Sequence, residues 1–231
     1  MNQNIIKYSE IFYSLQGEGA LIGMPSVFFR SSFCNLRCHW CDTPYTSWQP
    51  ESQIITVMDA VKTITDYGVH HVVITGGEPF LQKEPLAILC DELMARGHHV
   101  TIETNATLFA PVKAHLISMS PKLAHSTPLG DPIWATRHEQ SRLQLAVIQQ
   151  FLTHYDCQLK FVLDTAEDIL EIKQLLTHLS IKPEQVILMP QGRQIKTIAD
   201  KQQWLAELCK QYGFRYSPRL HIDLWEDQRG T

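Results

Sequence analysis

Short runs of β-branched and aromatic residues alternate along this chain with longer segments of helical period. The runs are Val27–Phe33, His71–Thr75, His99–Glu103, His115–Met119, Gln158–Leu163, Val186–Met189 and Arg219–Leu224, each of strand length and composition. Helices are expected at 56–67, 83–96, 138–152, 166–179 and 197–212. In 83–96 the apolar positions Leu86, Leu89, Cys90 and Leu93 recur at helical spacing, and Gly97 follows as a stop. In 197–212 Trp204, Leu205, Leu208 and Cys209 mark one face, and Gly213 closes it. Strand followed by helix, repeated, predicts βα units and a mainly parallel sheet. In such folds the chemistry sits at the C-terminal ends of the strands. The stretch Ser120–Arg137, rich in Pro, Thr, Gly and His, reads as a long loop within one domain. The first 20 residues carry a weak pattern that fits a hairpin over the sheet edge.

Composition narrows the class. With 231 residues, 44% hydrophobic and 19% charged, the chain can bury a sizeable core within one domain. Lys and Arg number 20 against 24 Asp and Glu, a net charge of -4. That leaves no basic surplus for a phosphate backbone, so no nucleic-acid partner is expected. The start, Met1 to Glu10, is polar, and no apolar run approaches the ~18 residues of a membrane span. No leader and no membrane partner are expected, and a reducing cytoplasm is the expected compartment.

In that compartment the cysteines gain meaning. Of six, Cys34, Cys38 and Cys41 fall within eight residues directly after an apolar run, while Cys90, Cys157 and Cys209 are scattered. Three thiolates so close repel one another unless a cation lies between them, which points to a metal centre before a disulfide. Structural zinc takes four ligands, usually as two pairs, and no second such pair exists here. His39 lies inside the loop, where it would strain a tetrahedral site. Three cysteines suit a 4Fe–4S cluster with one iron left open. Cys90 and Cys209 lie on apolar helix faces and read as core.

The CxxxCxxC loop after the first strand resembles the signature of the radical S-adenosylmethionine (SAM) enzymes. The resemblance implies a 4Fe–4S cluster on Cys34, Cys38 and Cys41, with SAM on the open iron. Gly76, Gly77, Glu78 and Pro79, closing the run that contains Thr75, resemble the segment that receives the SAM amino group. Two glycines permit close backbone approach and Glu78 offers an acceptor. Ser120, Pro121 and Lys122 suit the methionyl carboxylate or the ribose, and Met189, Pro190, Gln191 and Gly192 suit adenine. Glu103 and Asn105, after the third strand, either contact SAM or cap the next segment.

The substrate must come from elsewhere in the chain. Ser14-Leu15-Gln16-Gly17-Glu18-Gly19, Phe29-Arg30, Asp42-Thr43 and the closing Arg219-Leu-His221, with the tail Trp225–Thr231, resemble the 7-carboxy-7-deazaguanine synthase family nearly end to end. The resemblance implies an abbreviated, incomplete TIM-like βα barrel of mainly parallel strands, a single domain over 1–231. Residues 1–20 would be a substrate-binding extension and 214–231 a strand and tail closing the site. It implies conversion of 6-carboxy-5,6,7,8-tetrahydropterin to 7-carboxy-7-deazaguanine with loss of ammonia, on the route to queuosine, so the enzyme is a carbon–nitrogen lyase. Substrate contacts would come from Leu15, Gln16, Gly17, Glu18, Arg30, Thr75, His221 and the Thr231 carboxylate. Mg2+ would be held by the Thr43 hydroxyl, although the bare Asp-Thr pair would suggest Asp42 or a loop cap. A homodimer and a flavodoxin or ferredoxin as electron donor are implied as partners. Two other readings stand beside this one: a radical SAM activating enzyme working on a partner protein, and a zinc-stabilised binding module without catalysis.

Overall fold

The computed structural model describes residues 4–231, so Met1 to Gln3 of the polar start lie outside the described residues. The chain begins with an antiparallel hairpin of β1 (Ile5–Leu15) and β2 (Pro25–Ser31). A short helix, α1 (Pro44–Ser47), leads to β3 (Gln53–Thr56), which pairs with the free edge of β1. From β2 onward every pairing is parallel. The remaining elements are α2 (Val57–Asp66), β4 (His71–Gly76), α3 (Lys83–Ala95), β5 (His99–Thr104), β6 (Leu116–Met119), α4 (Pro132–Ser141), α5 (Leu145–His154), β7 (Cys157–Leu163), α6 (Ile169–Leu176), β8 (Val186–Pro190), α7 (Ile195–Tyr212), β9 (Arg215–Tyr216) and α8 (Leu220–Trp225).

The sheet runs β3-β1-β2-β4-β5-β6-β7-β8-β9 and keeps two free edges, so the barrel is incomplete. Strand alternation explains how one sheet supplies both a core and a polar cavity. Phe29, Ile74, Ile102, Ile117, Leu159 and Leu188 are buried in a contiguous apolar core with Ile64, Leu89, Phe151, Ile172 and Leu205 of the helices. The neighbouring positions alternate to the opposite face. Arg30 pairs with Thr75, Glu103 with Ser118, and Ser118 with Gln158, which sets a polar layer across β2, β4, β5, β6 and β7.

Three expectations from sequence need correction. Arg219–Leu224 is helix, not strand. The last parallel strand is Arg215–Tyr216: Ser217 N–H still reaches the Leu188 carbonyl at 3.0 Å, but Pro218 has no N–H and ends the ladder. The segment 138–152 is two helices. The Asp131 side chain caps α4 by accepting from Trp134 N–H, and Pro132 sits at its first position, so helix begins inside the stretch expected to be loop through Arg137. The chain breaks before α5, where Arg142 turns in to the Lys122 carbonyl and Glu171.

Candidate active site

The cysteine loop leaves the end of β2 and is fixed by backbone contacts. Phe33 takes φ 75°, a left-handed conformation that a non-glycine residue holds only when its surroundings enforce it. Gly76 and Gly77 supply that enforcement from β4. A Cβ on Gly76 would lie 2.2 Å from the Ser31 oxygen, and one on Gly77 would lie 2.0 Å from the Phe33 oxygen. Both glycines are therefore needed for the cysteine loop to pack on β4, a role independent of any ligand. Glu78 N–H completes the seam by donating to the Phe33 carbonyl at 2.8 Å.

Cys34, Cys38 and Cys41 line one cavity of about 430 Å³ at the C-terminal ends of the strands. Among the described residues no group of three or more His, Cys, Asp or Glu side chains is arranged to hold a single ion. Leu36 N–H points at Cys34 Sγ at 3.4 Å and the Asn105 amide at 3.8 Å, donors that favour thiolate. Burial pushes the free Cys34 and Cys38 thiols up to about 12. Ionising them needs a cation, and an iron cluster is one that thiolates bind well. The donor set fits a 4Fe–4S cluster.

The same cavity holds a well of buried charge. Lys160 of β7, 3% exposed in its side chain, donates to Glu103 at 2.8 Å and to Glu18 at 3.1 Å. Thr75 Oγ1 donates to the other Glu103 oxygen at 2.9 Å, and Gln16 Nε2 lies 3.4 Å from Glu103. Arg219 donates to Glu18 at 3.2 Å, to Asp42 at 2.5 Å and to the Gly192 carbonyl. Burial would raise the Glu18 carboxyl, but Lys160 and Arg219 hold it well below the usual range. Burial lowers His221 and keeps its ring neutral against the opposing pull of Glu18. Arg219 occupies the Asp42 carboxylate, and the next residue, Thr43, lines the cavity with its hydroxyl 3.4 Å from Thr46 Oγ1 and 3.8 Å from Cys41 Sγ.

At the mouth, Arg30 pairs with Glu10 at 2.7 Å, and Glu10 also accepts from Tyr45 and Arg229. Arg229 lies flat over Tyr45, 3.9 Å from its ring centroid, so the tail 227–231 lines the cavity.

Each substrate position expected from sequence lines this cavity: Leu15, Gln16, Gly17, Glu18, Arg30, Thr75, His221 and Thr231. The SAM positions divide. Gly76, Gly77, Ser120 and Lys122 line it, with Lys122 Nζ 2.8 Å from Ser120 Oγ. Pro121, Met189, Pro190, Gln191 and Gly192 do not line it, nor does Glu78. The Glu78 carboxylate is fully buried and accepts from Phe80 N–H, Asn105 N–H and Thr104 Oγ1. It buttresses the strand ends. Asn105 joins it to the cysteine loop through Asn35 at 3.0 Å.

Residues 29–122 match the radical SAM superfamily. Over the full length, the 7-carboxy-7-deazaguanine synthase of Halobacterium salinarum is 44% identical across 96% of this chain and 91% of its own. That of Rhodopirellula baltica is 40% identical across 100% of this chain and 90% of its own. The chain belongs to the 7-carboxy-7-deazaguanine synthase family. The fold agrees: the crystal structure of QueE from Escherichia coli superposes with a TM-score of 0.74 at 26% identity, covering 94% of this chain and 95% of that one. SuiB of Streptococcus suis shares the fold alone, with a TM-score of 0.55 at 18% identity over 83% of this chain and 49% of that one. As a radical SAM enzyme, this synthase-family chain uses a 4Fe–4S cluster and SAM.

The reading from sequence overlooked Lys160 and the pairing of Asp42 with Arg219. A signal for Lys160 existed, since it interrupts the apolar strand Leu159–Leu163 as Arg30 interrupts Val27–Phe33. A charge in such a run either faces a cavity or is paired. Lys160 does both.

Proposed function

We propose that this enzyme converts 6-carboxy-5,6,7,8-tetrahydropterin to 7-carboxy-7-deazaguanine with loss of ammonia, in queuosine biosynthesis. The observation that carries the reading is the charge well of Glu18, Lys160, Glu103 and Arg219, which lines the same cavity as the three cysteines. A pterin presents an amide and an aminopyrimidine edge, which need acceptors beside donors. Glu18 and Glu103 accept, and Gln16 and Lys160 donate.

The remaining roles follow from position. Cys34, Cys38 and Cys41 would hold the cluster, which together with SAM would supply the radical chemistry for hydrogen abstraction from the ring carbon bearing the carboxylate. Gly76, Gly77, Ser120 and Lys122 contact SAM, Lys122 with an ammonium suited to its carboxylate. Glu78 acts through its buried hydrogen bonds, and Met189, Pro190, Gln191, Gly192 and Pro121 form the outer support of the adenine end. Leu15 and Gly17 offer backbone groups to the pterin, Arg30 offers a planar fork, and Thr75 holds Glu103. His221 is a neutral partner for the substrate. Thr43 would offer its hydroxyl to Mg2+, which would help to hold the substrate carboxylate.

Residues 1–20 serve as the substrate-binding extension and 214–231 as the closing tail of a single domain. The enzyme works as a cytoplasmic homodimer with a flavodoxin or ferredoxin as electron donor. No described helix is long and apolar enough to cross a membrane. The test is direct: reduced protein given SAM, Mg2+ and the carboxytetrahydropterin should release 7-carboxy-7-deazaguanine. Accumulation of 5′-deoxyadenosine with no deazapurine would overturn the substrate assignment.

A further inference from the structure

Arg219 stands where α8 begins and is buried, 6% exposed. Each of its three guanidinium nitrogens reaches a different stretch of chain. Nε donates to Glu18 Oε1 at 3.2 Å, Nη1 to the Gly192 carbonyl at 2.5 Å and Nη2 to Asp42 Oδ2 at 2.5 Å. Glu18 lies after β1, Gly192 lies after β8, and Asp42 directly follows Cys41. One side chain thus ties the exit of the cysteine loop to two walls of the cavity.

The backbone beside Arg219 is fastened to the same wall as Glu18. Leu220 N–H donates to the Gly17 carbonyl at 2.9 Å, and the His221 ring packs so closely on Gly17 that a Cβ there would overlap it. Glu18 is also held through its other oxygen by Lys160, at 3.1 Å. Asp42 differs: among the described residues Arg219 is the one donor to its carboxylate, and its side chain is 40% exposed. The position of Asp42 against Glu18 and His221 is therefore set by Arg219. A planar fork with donors in fixed directions suits three separate acceptors, whereas a lysine ammonium is a point charge on a flexible stem.

We propose that Arg219 is a positioning residue for the reaction. Acting through Asp42 and Glu18, it holds the cysteine loop and the pterin wall in register, so that SAM cleavage stays coupled to hydrogen abstraction from the substrate. The inference rests on the reading of Glu18 and His221 as pterin contacts. Register matters because a misplacement of roughly 1 Å between reacting groups can cost about 100-fold in rate.

The test compares reconstituted wild type with Asp42→Asn, Arg219→Lys and the combined variant. Asp42→Asn keeps the size of a partly exposed side chain and leaves Arg219 paired with Glu18, so it tests the contact without emptying the well. In Asp42→Asn, iron per chain, melting temperature and the KM for SAM should stay close to wild type. Calorimetry on unreduced enzyme with SAM present should show the Kd for the carboxytetrahydropterin raised at least about fivefold, and reduced enzyme should release at least about fivefold more 5′-deoxyadenosine per deazapurine. Arg219→Lys should raise the same two quantities, and adding Asp42→Asn to it should change them less than about twofold, because both substitutions break one contact. Wild-type values in Asp42→Asn overturn the proposal, and so does full additivity in the combined variant. Iron content, melting temperature and SAM KM worsening together at an unchanged product ratio overturn it as well, since they would make the contact structural only. Failure of wild type itself to bind the pterin or release deazapurine overturns the functional reading, and this inference with it.

Discussion

Lys160 Nζ lies 2.8 Å from Glu103 Oε1, although the two side chains leave β7 and β5 with β6 between them. The register accounts for the meeting. Ser118 of β6 pairs with Glu103 on one side and Gln158 on the other, and Lys160 is the next residue of β7 on that same face. The ammonium is shared with Glu18, which precedes the parallel sheet, so one lysine pairs with two cavity carboxylates.

Replacing Lys160 by Met should therefore leave two carboxylates without their shared cation. Loss of one partner from a buried ion pair costs about 3–5 kcal/mol. The expected outcome is a denaturation midpoint lowered accordingly, and kcat/KM for the pterin reduced at least about 100-fold. Urea titration and steady-state product formation check it. A stability within ~0.5 kcal/mol of wild type would show the pair to be dispensable.

Gly77→Ala places a methyl group where the Phe33 oxygen already lies. The cysteine loop must move off β4, at a cost of about 3 kcal/mol. Iron per chain after anaerobic reconstitution should fall well below wild type although all three cysteines remain. Full iron loading would show that the loop adapts.

The scattered and clustered cysteines should separate in the same assay. Wild type is expected to be brown with about four irons per chain. Cys38→Ala should lose the cluster and Cys209→Ala should keep it, because Cys209 is a buried residue of α7 in the apolar core. Equal loss in both would show that the ligands had been misassigned.

Two histidines shape the pH dependence of stability. Burial lowers His138 to about 4, and burial with the nearby His115, His71 and His70 lowers His99 to about 4. Both are neutral in the folded protein and take up protons in the unfolded chain below about 6.5. Their contribution is complete above that pH and is lost as pH falls towards 4. Glu78, pushed by burial up to about 7, acts in the opposite sense, holding a proton in the folded state that the unfolded chain has released above about 4.5. The plot of stability against pH between about 4.5 and 6.5 should lose about one proton of slope in His138→Gln and gain about one in Glu78→Gln. Parallel curves for wild type and His138→Gln would remove His138 from this account.

Arg229 joins the tail to Glu10, Glu51 and the face of Tyr45, all near the surface. Exposed ion pairs contribute less than ~1 kcal/mol, so Arg229→Ala should hardly change the melting temperature. If the tail closes on substrate, KM should rise about tenfold with kcat little changed. An unchanged KM would detach the tail from substrate binding.

Much of the site was legible because its signals are local. Cys34, Cys38 and Cys41 fall within one loop, and Gly76 and Gly77 within one strand end, so spacing alone brings them together. Their detailed work was not legible: the glycines admit the cysteine loop, and Glu78 buttresses Asn105. The helix at Leu220–Trp225 was hidden by a short apolar alternation that fits either period.

The sequence by itself determined the βα order, the grouping of three cysteines in one loop and the family. Each follows from residues near one another in the chain or from patterns that repeat along it. Only the tertiary structure decided which charges meet. Glu18 and Arg219 are 201 residues apart, and Glu18 and Lys160 are 142 apart. Strand order and register put them at one end of an open barrel, where each buried charge is met by an opposite one.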